Sequence, residues 1–417
     1  MRVLRRSAQA AVVALAFAGG AALAQHHGHA VQEPKPAAHA PGRQGEHGAM
    51  DPGAMAFPGT AYDEKREARP PQRKPPPALH GDPEIGRKLA YDRDKGRCLV
   101  CHVLGADGEQ PGTVGPNLSL YGASGRERAY TFQRIWDARL LNPATVMPPF
   151  GSSGLLSEHE VAHITAYLHS LKEAVENPEH PAKRARRDRV FVADEDLSNA
   201  DLHLEQGRTA FAEPGANGSS CLSCHVPGGT KHAPDLKGAA ASYPKLDAAA
   251  GRVIGLEDRI NACAAKYLGA PMDRESHKLN LLSSYVKFLS RGMPIRVATD
   301  GPAAHAIERG KRTFARRAGQ LDFSCASCHT DSANRWLRGQ RLRALDDVAG
   351  DWPKHFIAEH ELGLISLQQR IRHCQIVTRT QPLALGSPEY TELELYLTSL
   401  ANGTPVWSPT NSRLRGQ

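Results

Sequence analysis

The stretch "CLVCH" occupies Cys98–His102, and its C-x-x-C-H spacing returns as "CLSCH" at Cys221–His225 and "CASCH" at Cys325–His329. This spacing is the attachment signal of c-type haem. Positions i, i+3 and i+4 share one helical face, so two thiols can bond the haem vinyl groups while the histidine ligates the iron. A zinc site or a redox dithiol would not require the adjacent histidine. The sequence therefore predicts three covalently bound c-type haems, held by Cys98, Cys101, His102, Cys221, Cys224, His225, Cys325, Cys328 and His329.

Helical signals flank each motif. Before it, a glycine opens a helix-like run, at Gly86, Gly207 and Gly310. After it, apolar residues recur with the spacing 3, 4, 3, which marks one face of an amphipathic helix. These residues are Val161, Ile164, Leu168 and Leu171, then Leu279, Leu282, Val286 and Leu289, then Tyr390, Leu393, Leu397 and Leu400. The order resembles class I cytochrome c, and it predicts a mainly α fold of three tandem domains of this kind.

The first 24 residues have the form of a secretory signal peptide. Three arginines precede the apolar run Ala10–Ala18, which is too short for a stable membrane anchor, and Ala22-Leu23-Ala24 resembles a cleavage site. No later stretch predicts a membrane span. The remaining predicted divisions are a disordered tether rich in histidine and proline at 25–79, a monohaem domain at 80–175, a charged linker at 176–197, and haem domains at 198–300 and 301–417.

The formal net charge of the chain is +8, with both signs mixed along it. No basic run alternates with exposed aromatic residues, so the pattern argues against a nucleic-acid-binding protein. A mildly basic surface can still attract an anionic substrate or an acidic partner.

The second iron ligand of the first domain is predicted to be Met147. It stands in "NPATVMPPF", 45 residues past His102, and no other methionine occurs in that loop. Methionine and histidine together raise the reduction potential of a haem, which suits electron transfer.

Residues of the second and third domains align at an offset of 111, which indicates an internal duplication. The offset pairs Leu256 with Leu367, Arg259 with Arg370, Cys263 with Cys374, Tyr285 with Tyr396 and Pro294 with Pro405. Both cysteines thus occupy the loop position that Met147 fills in the first domain. The predicted iron ligands are therefore His102, Met147, His225, Cys263, His329 and Cys374.

Two alternatives compete with this ligand assignment. Cys263 and Cys374 are the only cysteines outside the haem motifs, so they could form a disulfide with each other. Met293, in "SRGMPI", could ligate the second haem, although its counterpart in the third domain is Thr404. Thiolate ligation instead predicts low reduction potentials for the second and third haems.

With these motifs in view, the chain resembles a fusion of the two subunits of the SoxAX cytochromes of bacterial thiosulfate oxidation. The first domain is similar to the monohaem SoxX subunit in "CLVCH", "GPNL" and "NPATVMPPF". The last two domains resemble the dihaem SoxA subunit in "RINAC", "RIRHC", "SRGMP" and "SPEYTELELYLTSLANG". The two subunits are usually separate chains, so the fusion departs from the pattern.

The resemblance implies a periplasmic enzyme, an L-cysteine S-thiosulfotransferase. Such proteins oxidatively couple thiosulfate to a cysteine on the terminal arm of a carrier protein, SoxYZ, and pass two electrons through haems to a small cytochrome c. The resemblance also implies that Cys374 is the active cysteine, that it carries an extra sulfur as a persulfide, and that Arg370 binds the substrate.

Arginine chemistry fits this implication independently. Thiosulfate is a small dianion, and arginine binds oxyanions through two hydrogen bonds while staying charged. If "LQQRIRHC" is helical, Arg370 and Cys374 lie on one face. Arg372 and Arg379 would add positive charge that favours a thiolate. Arg259 beside Cys263 weakens this argument, since the second domain has a similar pair.

Two other functions remain open at this point. A trihaem periplasmic electron carrier would use Cys374 as an iron ligand only, without sulfur catalysis. A dihaem peroxidase would need an exchangeable ligand on one iron, whereas both duplicated domains offer a strong cysteine ligand.

Overall fold

The computed structural model describes residues 66–73, 80–105, 110–178, 199–230, 233–345, 352–357, 362–408 and 410–411. The predicted signal peptide lies outside these residues. The described helices are α1 Pro83–Tyr91, α2 Arg128–Trp136, α3 Glu158–Ser170, α4 Asn199–Ala212, α5 Cys221–Cys224, α6 Leu256–Cys263, α7 His277–Phe288, α8 Gly301–Ala315, α9 Leu367–Val377 and α10 Pro388–Ser399. The prediction of a mainly helical fold is confirmed. Among the described residues, no helix is long and apolar enough to cross a membrane.

The described strands are short and lie between helices. They are β1 Lys245–Asp247, β2 Arg252–Ile254, β3 Trp336–Leu337, β4 Gln340–Arg341, β5 Lys354–Ile357, β6 Leu362–Ile365 and β7 Thr410–Asn411. β1 with β2 and β3 with β4 form antiparallel pairs, and the third sheet has the order β6-β5-β7. The β1–β2 and β5–β6 hairpins precede α6 and α9, so each hairpin leads into a helix that ends at or near a predicted cysteine ligand.

Three helix pairs build the core around the haem motifs. α1 packs on α3, α4 on α7 and α8 on α10, and each motif follows the first helix of its pair. The second helix of each pair begins at a serine cap: Ser157, Ser276 and Ser387 accept a hydrogen bond from the backbone N–H three residues later. Most residues of the predicted apolar faces are buried, with Ile164, Leu279 and Leu393 at most 2 % exposed. The prediction fails for Leu400, which lies just past the end of α10 and is 45 % exposed.

The prediction that Gly86, Gly207 and Gly310 open helices is wrong. All three lie inside α1, α4 and α8, where the paired helix passes too closely for a side chain. A Cβ there would lie close to a backbone carbonyl oxygen of the partner helix: 2.0 Å from that of His163 for Gly86, 2.6 Å from that of Leu281 for Gly207, and 2.2 Å from that of Glu392 for Gly310. Glycine is needed for helix contact, not for helix initiation.

Replacing Gly310 with alanine is expected to destabilise the protein. The added methyl group would force α8 away from α10, and overpacking of this kind costs roughly 1–3 kcal/mol or more. Denaturant titration of the holoprotein should therefore show a lower unfolding midpoint. Lys311→Ala, on the exposed side of the same helix, is the control and should leave the midpoint in place. An unchanged midpoint for Gly310→Ala would contradict the close crossing.

Backbone hydrogen bonds join the segments that follow α7 and α10, and they obey the 111-residue offset. The antiparallel bridge is between Pro294 and Pro405. Around it lie four bonds: Gly292 N–H to Val406 O (2.9 Å), Gly403 N–H to Ile295 O (2.9 Å), Ile295 N–H to Thr404 O (2.8 Å) and Val406 N–H to Met293 O (2.9 Å). The first two bonds are equivalent when the two segments are exchanged by the offset, and so are the last two. This is expected for two copies of one repeat related by a local two-fold axis.

Residues 66–73 do not behave as the predicted disordered tether of 25–79, most of which lies outside the described residues. The carbonyl of Arg66 accepts a hydrogen bond from Gly319 N–H (2.8 Å), and the carbonyl of Arg69 accepts one from the Arg139 guanidinium (2.6 Å). Gln72 N–H donates to the Asp137 carboxylate (2.9 Å). These polar partners hold the segment in place, although its composition resembles a linker.

A buried ionic network joins the first haem-motif region to the third. The Arg139 guanidinium donates two hydrogen bonds of 2.8 Å to the Asp137 carboxylate and lies 3.3 Å from Asp322. Arg317 lies 2.9 Å from Asp322 on the other side. The side chains of Asp137, Arg139 and Asp322 are 0 %, 7 % and 5 % exposed, so their charges depend on one another.

Candidate haem and sulfur site

The histidine of each C-x-x-C-H motif is anchored through Nδ1. Each Nδ1–H donates to a backbone carbonyl: His102 to Pro116 (2.7 Å), His225 to Pro234 (3.0 Å) and His329 to Arg343 (2.7 Å). This bond fixes the tautomer and leaves the Nε2 lone pair for a metal. The arrangement is the one that an iron-ligating histidine requires.

Burial favours the neutral form of two of these imidazoles, those of His102 and His329. It lowers the pKa of His102, although the Pro116 carbonyl acts in the opposite direction. It likewise lowers the pKa of His329, against the effect of the Arg343 carbonyl. A neutral ring is the form that binds a metal.

Gly115 makes room for the first histidine. A Cβ on Gly115 would lie 2.2 Å from Cε1 of the His102 ring. Gly115 belongs to the "GPNL" stretch, and the next residue, Pro116, supplies the carbonyl that anchors the same ring. Gly115 thus leaves space for the His102 ring, and Pro116 orients it.

No disulfide joins any of the eight cysteines, so the alternative bond between Cys263 and Cys374 is not formed. Burial raises the pKa of Cys98 and Cys325 to about 12 each. These thiols are therefore uncharged in the folded chain. Buried, uncharged sulfur beside a carbonyl-anchored histidine fits covalent haem attachment.

Helix α9 carries Arg370 and Cys374, as the sequence predicted. Ser366 and Gln369 form a reciprocal capping box at its start. Arg370 and Cys374 are separated by one turn and lie on the same face. Burial is the main cause of the high pKa of Cys325, and the Cys374 sulfur also raises it, so Cys374 lies near the third haem motif.

Cys263 has the matching position at the end of α6. Burial raises the pKa of Cys221, and the Cys263 sulfur is the next cause, so Cys263 lies near the second haem motif. Met147 packs against the same apolar cluster as Cys98, with its backbone N–H donating to the Thr145 hydroxyl (3.1 Å). Each of these three residues thus lies near the haem motif of its own domain.

The arginines of the third site have different partners. Arg372 forms an ion pair with Glu275, a residue of the second repeat. Arg379 donates to the Gln320 side chain (3.0 Å) and to the Asp94 carbonyl (3.3 Å), both neutral acceptors, so no carboxylate cancels its charge at these contacts. Burial lowers the pKa of His373 to about 3, and Arg370 lowers it further.

In the second site Arg259 is neutralised. Its guanidinium forms an ion pair with Asp247 and donates to the Tyr243 hydroxyl (3.2 Å). The Arg259–Cys263 pair, which repeats the spacing of Arg370 and Cys374, thus has a carboxylate directly on its arginine.

The first and third haem motifs are neighbours. Burial raises the pKa of Cys101 to about 12, and Cys328 is the next cause. Beside them, Thr113 N–H donates to the Trp336 carbonyl (2.8 Å), and Arg338 N–H donates to the Val100 carbonyl (3.2 Å). The backbone bonds keep the two motifs together.

Sequence reasoning missed the residues that orient the histidines. Pro116 and Arg343 both stand 14 residues past the histidine that they anchor, a regularity visible in the sequence. Their side chains carry no signal, because only their carbonyls are used. The network of Asp137, Arg139 and Asp322 was also missed, since its members are distant along the chain.

Haem-motif cysteines beside a neutral, carbonyl-anchored histidine in a mostly helical fold define a c-type cytochrome, whose haem is covalently bound. A family model described as the SoxA/TsdA cytochrome c domain matches residues 206–295 and 309–406. The chain belongs to this family.

Individual relatives agree with the family. L-cysteine S-thiosulfotransferase subunit SoxA of Rhodovulum sulfidophilum is 35 % identical over 52 % of this chain and 74 % of that protein. The subunit of the same name from Pseudaminobacter salicylatoxidans is 33 % identical over 54 % of this chain and 77 % of that protein. Among solved structures, SoxXA from P. pantotrophus shares 31 % identity with a TM-score of 0.45, covering 50 % of this chain and 78 % of that chain.

Proposed function

We propose that the protein is an L-cysteine S-thiosulfotransferase of the periplasm, which oxidatively couples thiosulfate to a cysteine of a SoxYZ-type carrier. In this reaction the carrier thiolate and the outer sulfur of thiosulfate form one S–S bond. In the net reaction no bond to sulfur breaks, and two electrons leave. When bound, the haems would supply the one-electron carriers that pass these electrons to a small cytochrome c.

One observation carries the proposal: Arg370 and Cys374 share a face of α9, and the Cys374 sulfur lies close enough to Cys325 and Cys328 to raise the pKa of both thiols. Arg370 would hold the sulfonate end of thiosulfate by charge-assisted hydrogen bonds. In the persulfide form that the family resemblance implies, Cys374 would bond the outer sulfur of thiosulfate with loss of the two electrons. The carrier thiolate would then attack that outer sulfur and displace the Cys374 persulfide, so that one S–S bond forms overall. Arg379 would contribute positive charge, since its hydrogen-bond acceptors are neutral.

The proposed organisation assigns one haem to each of 80–175, 198–300 and 301–417, with the last two as a duplication. The proposed ligand pairs are His102 with Met147, His225 with Cys263, and His329 with Cys374. Support comes from the carbonyl-anchored histidines and from the hydrogen bonds that obey the 111-residue offset. The first domain is the proposed electron exit, because methionine ligation would raise its potential, and the proximity of Cys101 to Cys328 supports this role.

Replacing Arg370 with alanine is expected to raise the KM for thiosulfate by roughly 10- to 100-fold, the range for one lost charge-assisted hydrogen bond. Arg370→Lys should recover only part of this, because an ammonium group cannot reproduce the two-point geometry. Steady-state reduction of cytochrome c in the presence of carrier would measure both.

Arg372→Ala is the matched control on the same helix. Arg372 is engaged by Glu275, so its removal should change the KM for thiosulfate by less than about twofold. An unchanged KM for Arg370→Ala would refute substrate binding by this residue. Absence of carrier product with intact cytochrome c reduction would instead favour the trihaem electron carrier.

A further inference from the structure

The two repeats differ at the residues that surround their shared arginine. In the second repeat, β1 pairs with β2 so that Lys245 lies opposite Ile254. In the third, β5 pairs with β6 so that Lys354 lies opposite Ile365. Ile254 and Ile365 differ by the 111-residue offset, so the register makes Lys245 and Lys354 equivalent.

This register identifies the counterparts of both partners of Arg259. Asp247, two residues after Lys245, corresponds to Phe356, and Tyr243, two residues before it, corresponds to Trp352. A cation–π contact in each repeat also supports the equivalence of Lys245 with Lys354. Lys245 lies over the Tyr243 ring at 4.7 Å, and Lys354 lies over the Trp352 ring at 5.2 Å. The third repeat thus has neither a carboxylate nor a phenolic hydroxyl at these two positions.

The Asp247 carboxylate occupies the place where an oxyanion would bind Arg259. It lies against the guanidinium and is only 13 % exposed, while the Arg259 side chain is 40 % exposed and reaches solvent. A bound dianion would have to displace the carboxylate or bear its repulsion, and both are unfavourable. Arg259 and Cys263 otherwise repeat the one-turn spacing of Arg370 and Cys374.

We propose that Asp247 is a specificity determinant: it excludes thiosulfate and similar sulfur oxyanions from the second haem site and so confines them to the third. This inference rests on the proposed function. It implies a latent oxyanion site on Arg259, built by the same helix geometry and closed by one carboxylate.

The test removes the charge of Asp247 in a variant whose third site can no longer bind thiosulfate. In holoprotein carrying Arg370→Ala, adding Asp247→Asn should tighten thiosulfate binding at least tenfold, as measured by isothermal titration calorimetry. This is the lower range for one gained charge-assisted bond. Adding Arg259→Ala to that double variant should remove the gain. Asp247→Glu in the Arg370→Ala background keeps the carboxylate and should bind no better than Arg370→Ala alone.

Two results would overturn the inference: Asp247→Asn gives no gain in binding, or the gain survives Arg259→Ala. A failure of the proposed function is distinguishable. If Arg370→Ala binds thiosulfate as tightly as the unaltered protein, Arg370 is not the ligand of the third site. In that case the third site still binds one thiosulfate, and Asp247→Asn should raise the number of thiosulfate ions bound per chain from one to two. An unchanged number would reject the latent site.

Discussion

Replacing Cys374 with alanine is expected to abolish thiosulfate coupling while the haems remain attached. The proposed role makes this sulfur the acceptor in bond formation, and loss of a covalent group typically lowers turnover by at least about a thousandfold. The attachment cysteines and His329 are untouched, so haem content should be unchanged. Carrier modification and cytochrome c reduction would measure the loss, and the haem content would be measured by absorbance of the denatured protein.

Cys263→Ala is the matched control, since both cysteines follow an arginine by one turn and both lie near a haem motif. It should alter the spectrum of the second haem and leave at least about a tenth of the turnover, because Arg259 beside it is neutralised by Asp247. Coupling that persists in Cys374→Ala, or that disappears only in Cys263→Ala, would overturn the assignment.

Replacing Arg139 with alanine is expected to lower the free energy of unfolding by about 3–5 kcal/mol, the usual cost of leaving buried charges unpaired. The change exposes Asp137 and Asp322 to each other's charge and frees the Arg69 carbonyl. It should also weaken the junction between the first and third haem motifs. Denaturant unfolding would measure the first effect. Stopped-flow reduction by thiosulfate of the haem for which Met147 is the proposed ligand would measure the second.

The control for Arg139 is Arg208. Its ion pair with Glu205 is exposed on both sides, 65 % and 60 %, and exposed pairs contribute little. Arg208→Ala should leave the unfolding curve unchanged. If Arg139→Ala and Arg208→Ala unfold at the same denaturant concentration, the buried network does not stabilise the junction.

Acid titration gives a second view of this network. Burial opposes ionisation of Asp137, but hydrogen bonds from Arg139, Ser152 and Gln72 N–H outweigh it, and the pKa of the carboxyl lies below its usual range. A carboxyl whose pKa is lowered in the folded state stabilises the protein at pH values above its unfolded pKa of about 4. This stabilisation is lost as the pH falls through the folded-state pKa. Arg139→Ala should therefore flatten the loss of stability below about pH 4.

The sequence predicted those parts of the molecule that depend on local spacing. The haem motifs follow from the C-x-x-C-H spacing, and the second helix of each pair follows from the 3, 4, 3 apolar spacing. The helix that carries Arg370 and Cys374 was only a condition of the sequence argument, and the structure meets that condition. The glycines were misread because only the partner helix reveals why Gly86 and Gly310 lack a side chain. Helix contact is a tertiary property, and a single segment does not encode it.

Electrostatic partners were the least predictable part of the site. Arg372 looked like part of a substrate-binding cluster, yet Glu275 from the other repeat engages it. Arg259 looked like a second catalytic arginine, yet Asp247 from the preceding hairpin neutralises it. Charge pairing depends on which loops meet in space, so the sequence gives the arginines but not their partners.

The central claim, that the Cys374 sulfur handles substrate sulfur, is tested most directly by peptide mass spectrometry after anaerobic treatment with thiosulfate and carrier. Trypsin releases Cys374 in the heptapeptide His373–Arg379 and Cys263 in the heptapeptide Ile260–Lys266, and neither carries haem. We predict an added sulfur atom on the Cys374 peptide and none on the Cys263 peptide. An unmodified Cys374 peptide from fully active protein, or added sulfur on the Cys263 peptide alone, would contradict the claim.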